Sequence, residues 1–424
     1  MKRFFSLLTL GSYSLFCALL LCAQTSREEM YANLKNTAGV YLAYPTDKSC
    51  NTPVPNGYNP FYISHMGRHG SRYLINETDY TKPLNTLKNA EEANVLTSLG
   101  KQVLDKLKEI HDEADGRAGD LSPLGVEQHK AIAKRMYNAY PQVFTNDAKI
   151  TAHSTMVMRC AMSMVSFCEG LKEKNPKLNI VKEPSNRHVR YLSFQNKEMK
   201  EYNSASGPWR KEYKRFEEEH THPQRLMETL FTDIAYVSQN INSNDLMWQL
   251  YWITIDLQNV ETPGNLYTIF TPEELFDLWQ CFNYRMYAQV GNCSLSKGAV
   301  MQSSKVLLND IITRADEKIK SGDNGADLRF GHDVNIIPLA AILGFEGCDA
   351  CVAMPEDLYG VFADYKVSPM AANIQMILFR NKKGDVIAKF MHNEKEVAIP
   401  IPTSTFPFYE WDEVKAYYQG VIDN

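Results

Sequence analysis

Past residue 23 the sequence has no long apolar run, and nowhere does it show an internal repeat or a low-complexity tract. The first absence leaves no further candidate for a membrane-spanning helix, and the others exclude repeat architectures and a disordered chain. A strong charge of either sign is missing too. With 45 basic and 50 acidic residues the formal net charge is −5 over 424 residues, so bulk charge gives no sign of a nucleic-acid binder. Paired cysteine or histidine motifs at zinc spacing are also lacking: Cys348-Asp349-Ala350-Cys351 stands without a second CxxC, and His220 and His222 in "EEEHTHPQ" read as solvent-exposed residues. No metal is expected. What remains is an ordinary globular composition, 44% hydrophobic and 22% charged, long enough for one large or two ordinary domains.

At the N-terminus, Lys2 and Arg3 precede an apolar stretch running through Leu7, Leu15, Phe16 and Ala18 to Leu21, and polar Thr25-Ser26-Arg27 follows. This pattern predicts a secretory signal peptide over residues 1–23, and hence a periplasmic or secreted protein with no stable membrane insertion after cleavage. A membrane anchor is the alternative reading, because the stretch approaches spanning length although Gly11 and Ser12 break it. Lipidation at Cys22 is disfavoured by bulky Leu21 before it. Loss of the peptide removes Cys17 and Cys22 and leaves Cys50, Cys160, Cys168, Cys281, Cys293, Cys348 and Cys351. In an exported chain Cys281–Cys293 and Cys348–Cys351 are the nearest candidate disulfides, and an odd count leaves one thiol free or paired elsewhere.

Strand and helix signals alternate along the mature chain. After the Pro/Asn/Gly-rich lead-in "NTPVPNGYNP", an apolar strand is predicted from Phe61 to Met66, ending at Gly67. Helical patterns follow at Leu96–Ile110 and, opened by Ser122 and Pro123, at Leu124–Tyr140. A short strand over Lys149–His153 leads into a helical run at Met156–Leu171. Residues 172–290 are dominated by charged and aromatic helical stretches such as "WRKEYKRFEEEH" and "LFDLWQCFNYRMYAQ", which predicts a mostly helical insertion or cap. Strand character returns at Leu328–Gly331, before "VNIIPLAAILG" and a hairpin turning at Lys382–Asp385. The prediction is an α/β core split in sequence, residues 24–171 and 291–424, carrying that insertion.

Three strand ends bear unusual residues: Arg68-His69-Gly70-Ser71-Arg72 after the first, Arg159 in the helix after the second, and His332-Asp333 after the third. In an open α/β sheet, ligands bind beyond the carboxyl ends of the strands, so the three places meet if those strands are parallel neighbours. Three guanidinium groups match a phosphomonoester dianion bidentately, as lysines would not. Arg68, Arg72 and Arg159 are therefore the candidate phosphate ligands, with His332 as a further donor. The same arginines favour the neutral form of His69, which can then attack phosphorus. An alkoxide leaves poorly unless protonated, and Asp333 is the one carboxylate beside the cluster, a general acid and then a base for water. A basic group at Arg187, His188 and Arg190 is a candidate grip for further phosphates, set against its reading as a solvated loop.

"GRHGSRY", "LSPLGVEQH" at 121–129, "HSTMVMRCAMSMVSF" around Arg159 and "FGHDVNIIPLAAILG" at 330–344, in this order, resemble the histidine acid phosphatases, the second branch of the histidine phosphatase superfamily. The layout looks most like bacterial relatives of the multiple inositol polyphosphate phosphatases and also resembles phytases. The resemblance implies a histidine-phosphatase-like core, its central mostly parallel sheet flanked by helices, with a helical cap. It also implies a phosphohistidine at His69 and phosphate ligands at Arg68, Arg72, Arg159 and His332. Two departures stand out. Leu74 replaces the proline usual two residues after the second arginine, and His332-Asp333-Val334 has the His-Asp form of phytases rather than the His-Ala-Glu of inositol polyphosphate phosphatases. The expected substrate is a small phosphomonoester, inositol polyphosphates first, with a sugar-phosphate or non-specific acid phosphatase as the alternative and a non-catalytic phosphate-binding protein as the alternative from another class. No cofactor and no nucleic acid is called for.

Overall fold

The computed structural model describes residues 27–45 and 51–424; the predicted signal peptide and Cys50 lie outside the described residues. The core is one sheet in the order β3-β2-β4-β1-β5-β6-β7, with β8 pairing β6. Its strands are β1 (Asn59–Arg68), β2 (Lys149–Ser154), β3 (Ile180–Pro184), β4 (Gly325–Gly331), β5 (Asn373–Arg380), β6 (Val386–His392), β7 (Lys395–Glu396) and β8 (Phe408–Glu410). β3, β2, β4 and β1 run parallel, and β5 joins β1 antiparallel. The β5–β6 hairpin turns at the expected place, closed by the Asn381 side chain accepting from the Asp385 amide at 3.0 Å.

Alternation along the buried strands gives each face of the sheet its own core. Ile63, Ile150, Ala152, Leu328 and Phe330 pack on one side against Ile132, Met136, Met164 and Phe167 of the Pro123–Ala139 and Met158–Lys174 helices. On the other side Tyr62, Met66, Ile374 and Met376 meet Leu308, Ile311, Leu343 and Tyr418, from the helices Ala299–Ser321 and Trp411–Asp423 and the end of Asp333–Ile342. That face also holds a charged ladder: Arg329 binds Asp310 at 2.7 Å, and Arg314 lies 3.0 Å from Asp310 and 3.6 Å from Asp327. A buried guanidinium survives there because each is paired.

Between Ser185 and Ser321 the described residues form helices and turns but no strand. The two stretches read as helical are so, within Trp209–His220 and Pro272–Val290. The span 172–290 also contains β3, an edge strand whose exposed Val181 and Lys182 give it little apolar alternation to read. The disulfide candidates are not formed: Cys160, Cys168, Cys281, Cys293, Cys348 and Cys351 are all free thiols. Cys281 is committed to a helix interior, its Sγ 3.8 Å from the Phe216 carbonyl, and Cys348 is buried while Cys351 is exposed.

Candidate active site

The parallel order β2-β4-β1 places the three marked strand ends side by side, and the backbone fastens them together. The His69 amide donates to the Gly331 carbonyl at 2.9 Å, and the Thr155 amide reaches the Phe330 carbonyl at 3.3 Å. The turn after β1 is held from the helical side. Ser163 Oγ accepts from the Gly70 amide at 3.1 Å, and Gln128 Oε1 accepts from the Ser71 amide at 2.9 Å. Close approach explains the glycines: a Cβ on Gly70 would lie 2.6 Å from the Gly125 carbonyl oxygen, and one on Gly125 would lie 2.3 Å from that of Ser71. "GRHGSRY" and "LSPLGVEQH" are thus the two halves of one contact, with Ser122 Oγ capping the second helix at the Gly125 amide.

His69 is 2% exposed, and its Nδ1 lies 2.9 Å from the Gly70 carbonyl oxygen. A carbonyl only accepts, so Nδ1 carries the hydrogen and Nε2 the lone pair. Burial, then Arg68, Arg72 and Arg159, hold its pKa well below 6.5, which favours the neutral ring. His332 sits across from it, ring centroids 5.5 Å apart at 73°. Its pKa is lowered to about 4, again by burial first and against the pull of Asp333, and its Nε2 lies 3.4 Å from Thr155 Oγ1 and 3.5 Å from Cys160 Sγ.

Arg68 is fully buried, and its Nη1 donates to the carbonyls of Val40 and Ser368 while Nη2 meets Asp333 Oδ2 at 2.9 Å. The Val40 peptide is itself fixed, its amide on Asp364 Oδ2 at 3.1 Å. Arg72 donates to the Tyr73 carbonyl at 2.8 Å and to Tyr41 Oη at 2.9 Å, and its guanidinium lies 4.6 Å from the Tyr41 ring centre. Arg159 is half-buried at the start of its helix. The Nε atoms of Arg68, Arg72 and Arg159 are all buried without a hydrogen-bond partner. Three unsatisfied cationic donors around one neutral imidazole form a site preset for an anion.

Asp333 opens the Asp333–Ile342 helix, and its side chain is 20% exposed. Burial pushes its pKa up, but Arg68, His332 and the Val334 amide outweigh that and hold it below the usual carboxylate value. At rest it is a carboxylate ready to accept a proton. Acting as an acid requires a like charge nearby to raise its pKa, and a bound phosphate dianion is such a charge.

The structure therefore brings Arg68, His69, Arg72, Arg159, His332 and Asp333 into one place. It does not bring Arg187, His188 and Arg190 together as a basic patch: His188 is buried 3.2 Å from Glu183, Arg187 turns to the same carboxylate at 3.3 Å, and Arg190 is exposed. Sequence reasoning missed Tyr41, Thr155 and the role of Cys160. It also missed Asp256, a buried acid whose pKa burial raises to about 7 against the pull of Arg72. Asp256 Oδ1 holds Asn259 at 3.2 Å, which holds Ser71 Oγ at 2.7 Å, so this acid braces the turn that carries the arginines.

The profile of the histidine phosphatase superfamily (branch 2) matches residues 63–393, which include every one of the six convergent residues. The chain belongs to this superfamily. It is a phosphatase of the histidine acid phosphatase kind, and its fold is shared by solved structures of low sequence identity. The multiple inositol polyphosphate phosphatase of Bifidobacterium longum, solved with inositol hexasulfate, superposes with a TM-score of 0.78 at 18% identity, covering 90% of this chain and 97% of that one. The phytase of D. castellii gives 0.68 at 12% identity over 92% and 85% of the two chains. The Hafnia alvei phytase solved with myo-inositol hexakis sulphate gives 0.52 at 11% over 87% and 98%. No curated protein sequence matches the phosphatase at a significant level.

Proposed function

We propose that the phosphatase is an exported, metal-independent enzyme that hydrolyses inositol polyphosphates through a phosphohistidine on His69. The observation that carries the mechanism is the neutral, tautomer-fixed His69 among three arginines with unpartnered Nε atoms. Arg68, Arg72 and Arg159 hold the phosphoryl oxygens and His332 donates to one of them. Nε2 of His69 forms the N–P bond as the ester O–P bond breaks, and Asp333 gives its proton to the leaving oxygen. Water then attacks phosphorus, Asp333 takes the proton, the N–P bond breaks and orthophosphate leaves with His69 neutral again. Export rests on the basic and apolar pattern of residues 1–23.

Support for the substrate comes from the fold shared with enzymes solved with inositol hexasulfate and myo-inositol hexakis sulphate. A specific observation favours a second reading, a sugar-phosphate or non-specific acid phosphatase. Ile75, Met156, Met158, Met162 and Val334 are all at least 37% exposed and lie within three residues of Arg72, Arg159 or Asp333 in sequence, and Arg187 and His188 lie against Glu183. An apolar rim offers little to five further phosphates. Turnover of phytate, glucose 1-phosphate and p-nitrophenyl phosphate decides between them. Preference for phytate in kcat/KM supports the inositol reading, and absence of label from alkali-quenched protein, in which an N–P bond survives, at every time point would sink the covalent one. Activity unchanged by a chelator is the expected result for catalysis without metal.

A further inference from the structure

A second cluster of ligating side chains lies one strand away from the catalytic residues. His153 on β2 pairs in register with Glu183 on β3, and the turn Asn186–His188 folds back to bring His188 between them. One ligand atom from each of the three lies within 4.8 Å of the others. We propose that His153, Glu183 and His188 form a zinc site that ties β2 and β3 to the segment that follows β3.

Two features of the cluster suit a metal. Both imidazoles present Nδ1 to the same hydroxyl, Tyr191 Oη lying 3.0 Å from His153 and 2.9 Å from His188; the rings are stacked, centres 3.9 Å apart at 14°, so binding one ion requires them to turn until their in-plane lone pairs converge. Both rings thus point their Nε2 atoms the same way, away from the tyrosine. The buried His188 Nε2 has no hydrogen-bond partner, although Glu183 Oε2 is only 3.2 Å away, so carboxylate and ring nitrogen face each other without a well-directed N–H between them.

The chemistry fits zinc: two imidazoles, one carboxylate and an open fourth position for water. Metal on both Nε2 atoms requires hydrogen on both Nδ1 atoms, and the Tyr191 oxygen can accept from both, the outer contact that orients ligating histidines. Bonds of about 2.1 Å set ligand atoms roughly 3.4 Å apart in a tetrahedron. Glu183 Oε2 and His188 Nε2 already stand 3.2 Å apart, so closing the site means drawing in His153, whose ligand atom lies within 4.8 Å of both. Glu183, with its side chain 35% exposed, opens the site to solvent while its other oxygen stays with Arg187 at 3.3 Å. The cations facing the cluster are already engaged: Arg187 by Glu183, Arg329 by Asp310, and Arg314 by Asp310 and Asp327.

The test uses the full mature chain stripped with chelator and titrated with zinc sulfate. One zinc per chain is expected by calorimetry, with a raised melting temperature and unchanged p-nitrophenyl phosphate turnover. Glu183→Gln should weaken binding about tenfold or more and abolish the melting shift, while its phosphatase activity shows that it folds. Cobalt in place of zinc should give a tetrahedral visible band without thiolate charge transfer. Absence of stoichiometric binding, binding unaltered in Glu183→Gln, or a thiolate band pointing to Cys160 beside His332 would each overturn the proposal.

Discussion

Replacing Asp333 with asparagine separates the two halves of the proposed reaction. The side chain keeps its shape and a carbonyl oxygen where Arg68 Nη2 now finds Oδ2 at 2.9 Å, but it can neither give nor take a proton. Neighbouring Val334 supplies no substitute. General acid–base catalysis contributes about 10²- to 10⁴-fold, or roughly 3–5.5 kcal/mol of barrier. An alkyl ester such as glucose 1-phosphate should lose that whole factor, because its alkoxide departs only with a proton. p-Nitrophenolate is stable as an anion, so phosphorylation of His69 by p-nitrophenyl phosphate should slow by about tenfold or less, on the order of 1.4 kcal/mol. Dephosphorylation still lacks its base, so the phosphoenzyme accumulates. Rapid mixing should therefore show a burst of about one p-nitrophenolate per site followed by slow turnover, and labelled protein should survive alkaline quench and lose its label in acid, as an N–P bond does. The ion pair matters as well: with Asp333 neutral, the buried Arg68 has only carbonyls, and orthophosphate should inhibit the variant more strongly than the native enzyme. Equal losses on both esters without a burst would refute the assignment of Asp333.

Because burial and the three arginines hold the His69 pKa well below 6.5, kcat/KM should persist at pH values where an ordinary histidine nucleophile is already protonated; the alkaline fall from Asp333, which holds its proton only beside bound phosphate, should show in kcat. A pH profile that declines on acidification with a midpoint near 6.5 would contradict this. Asp256 makes a stability prediction. Its pKa of about 7 in the folded chain stands roughly 3 units above the unfolded value, so the folded state holds this proton more tightly; the contribution is fully present below about pH 4 and lost as pH rises through about 7. Asp256→Asn should therefore gain stability relative to the native protein between pH 5 and pH 8, by about 2.6 kcal/mol of the roughly 4 that the whole shift represents, read from urea midpoints. An equal difference at both pH values would place the effect in packing rather than in the proton.

The site was legible where side chains had no other use at their positions. Arginine and histidine at the end of an apolar strand have no place in a core, so Arg68, His69, Arg72 and His332 stood out, and parallel strand order did the assembly. Arg159 was readable only by its place after a strand, because Cys160 beside it looks like core and is, while also touching His332. The illegible parts are contacts made by groups every residue has, or by residues far away in sequence. Arg68 is held by the carbonyls of Val40 and Ser368, and the second of these is 300 positions away. Asp256 reads as an ordinary helix end, and only the fold puts it behind Arg72. The basic run Arg187–Arg190 left two readings open for a related reason: charge in a sequence does not say which way it turns, and Glu183 meets two of its members.

Arg68 links substrate binding to proton supply. Before substrate arrives its guanidinium neutralises Asp333, and the acid is in the wrong state for the first step. A phosphate dianion entering the site competes for the same guanidinium and adds a negative charge beside the carboxylate; both effects raise the Asp333 pKa and draw a proton to it. The acid is loaded only when there is an ester to cleave. In the proposed mechanism, once the phosphoryl group is on His69 and Asp333 has given up its proton, the carboxylate is the base that the second step needs. Moving this ion pair, by substituting Arg68 with lysine, would detach the acid from the phosphate and cost rate in both steps.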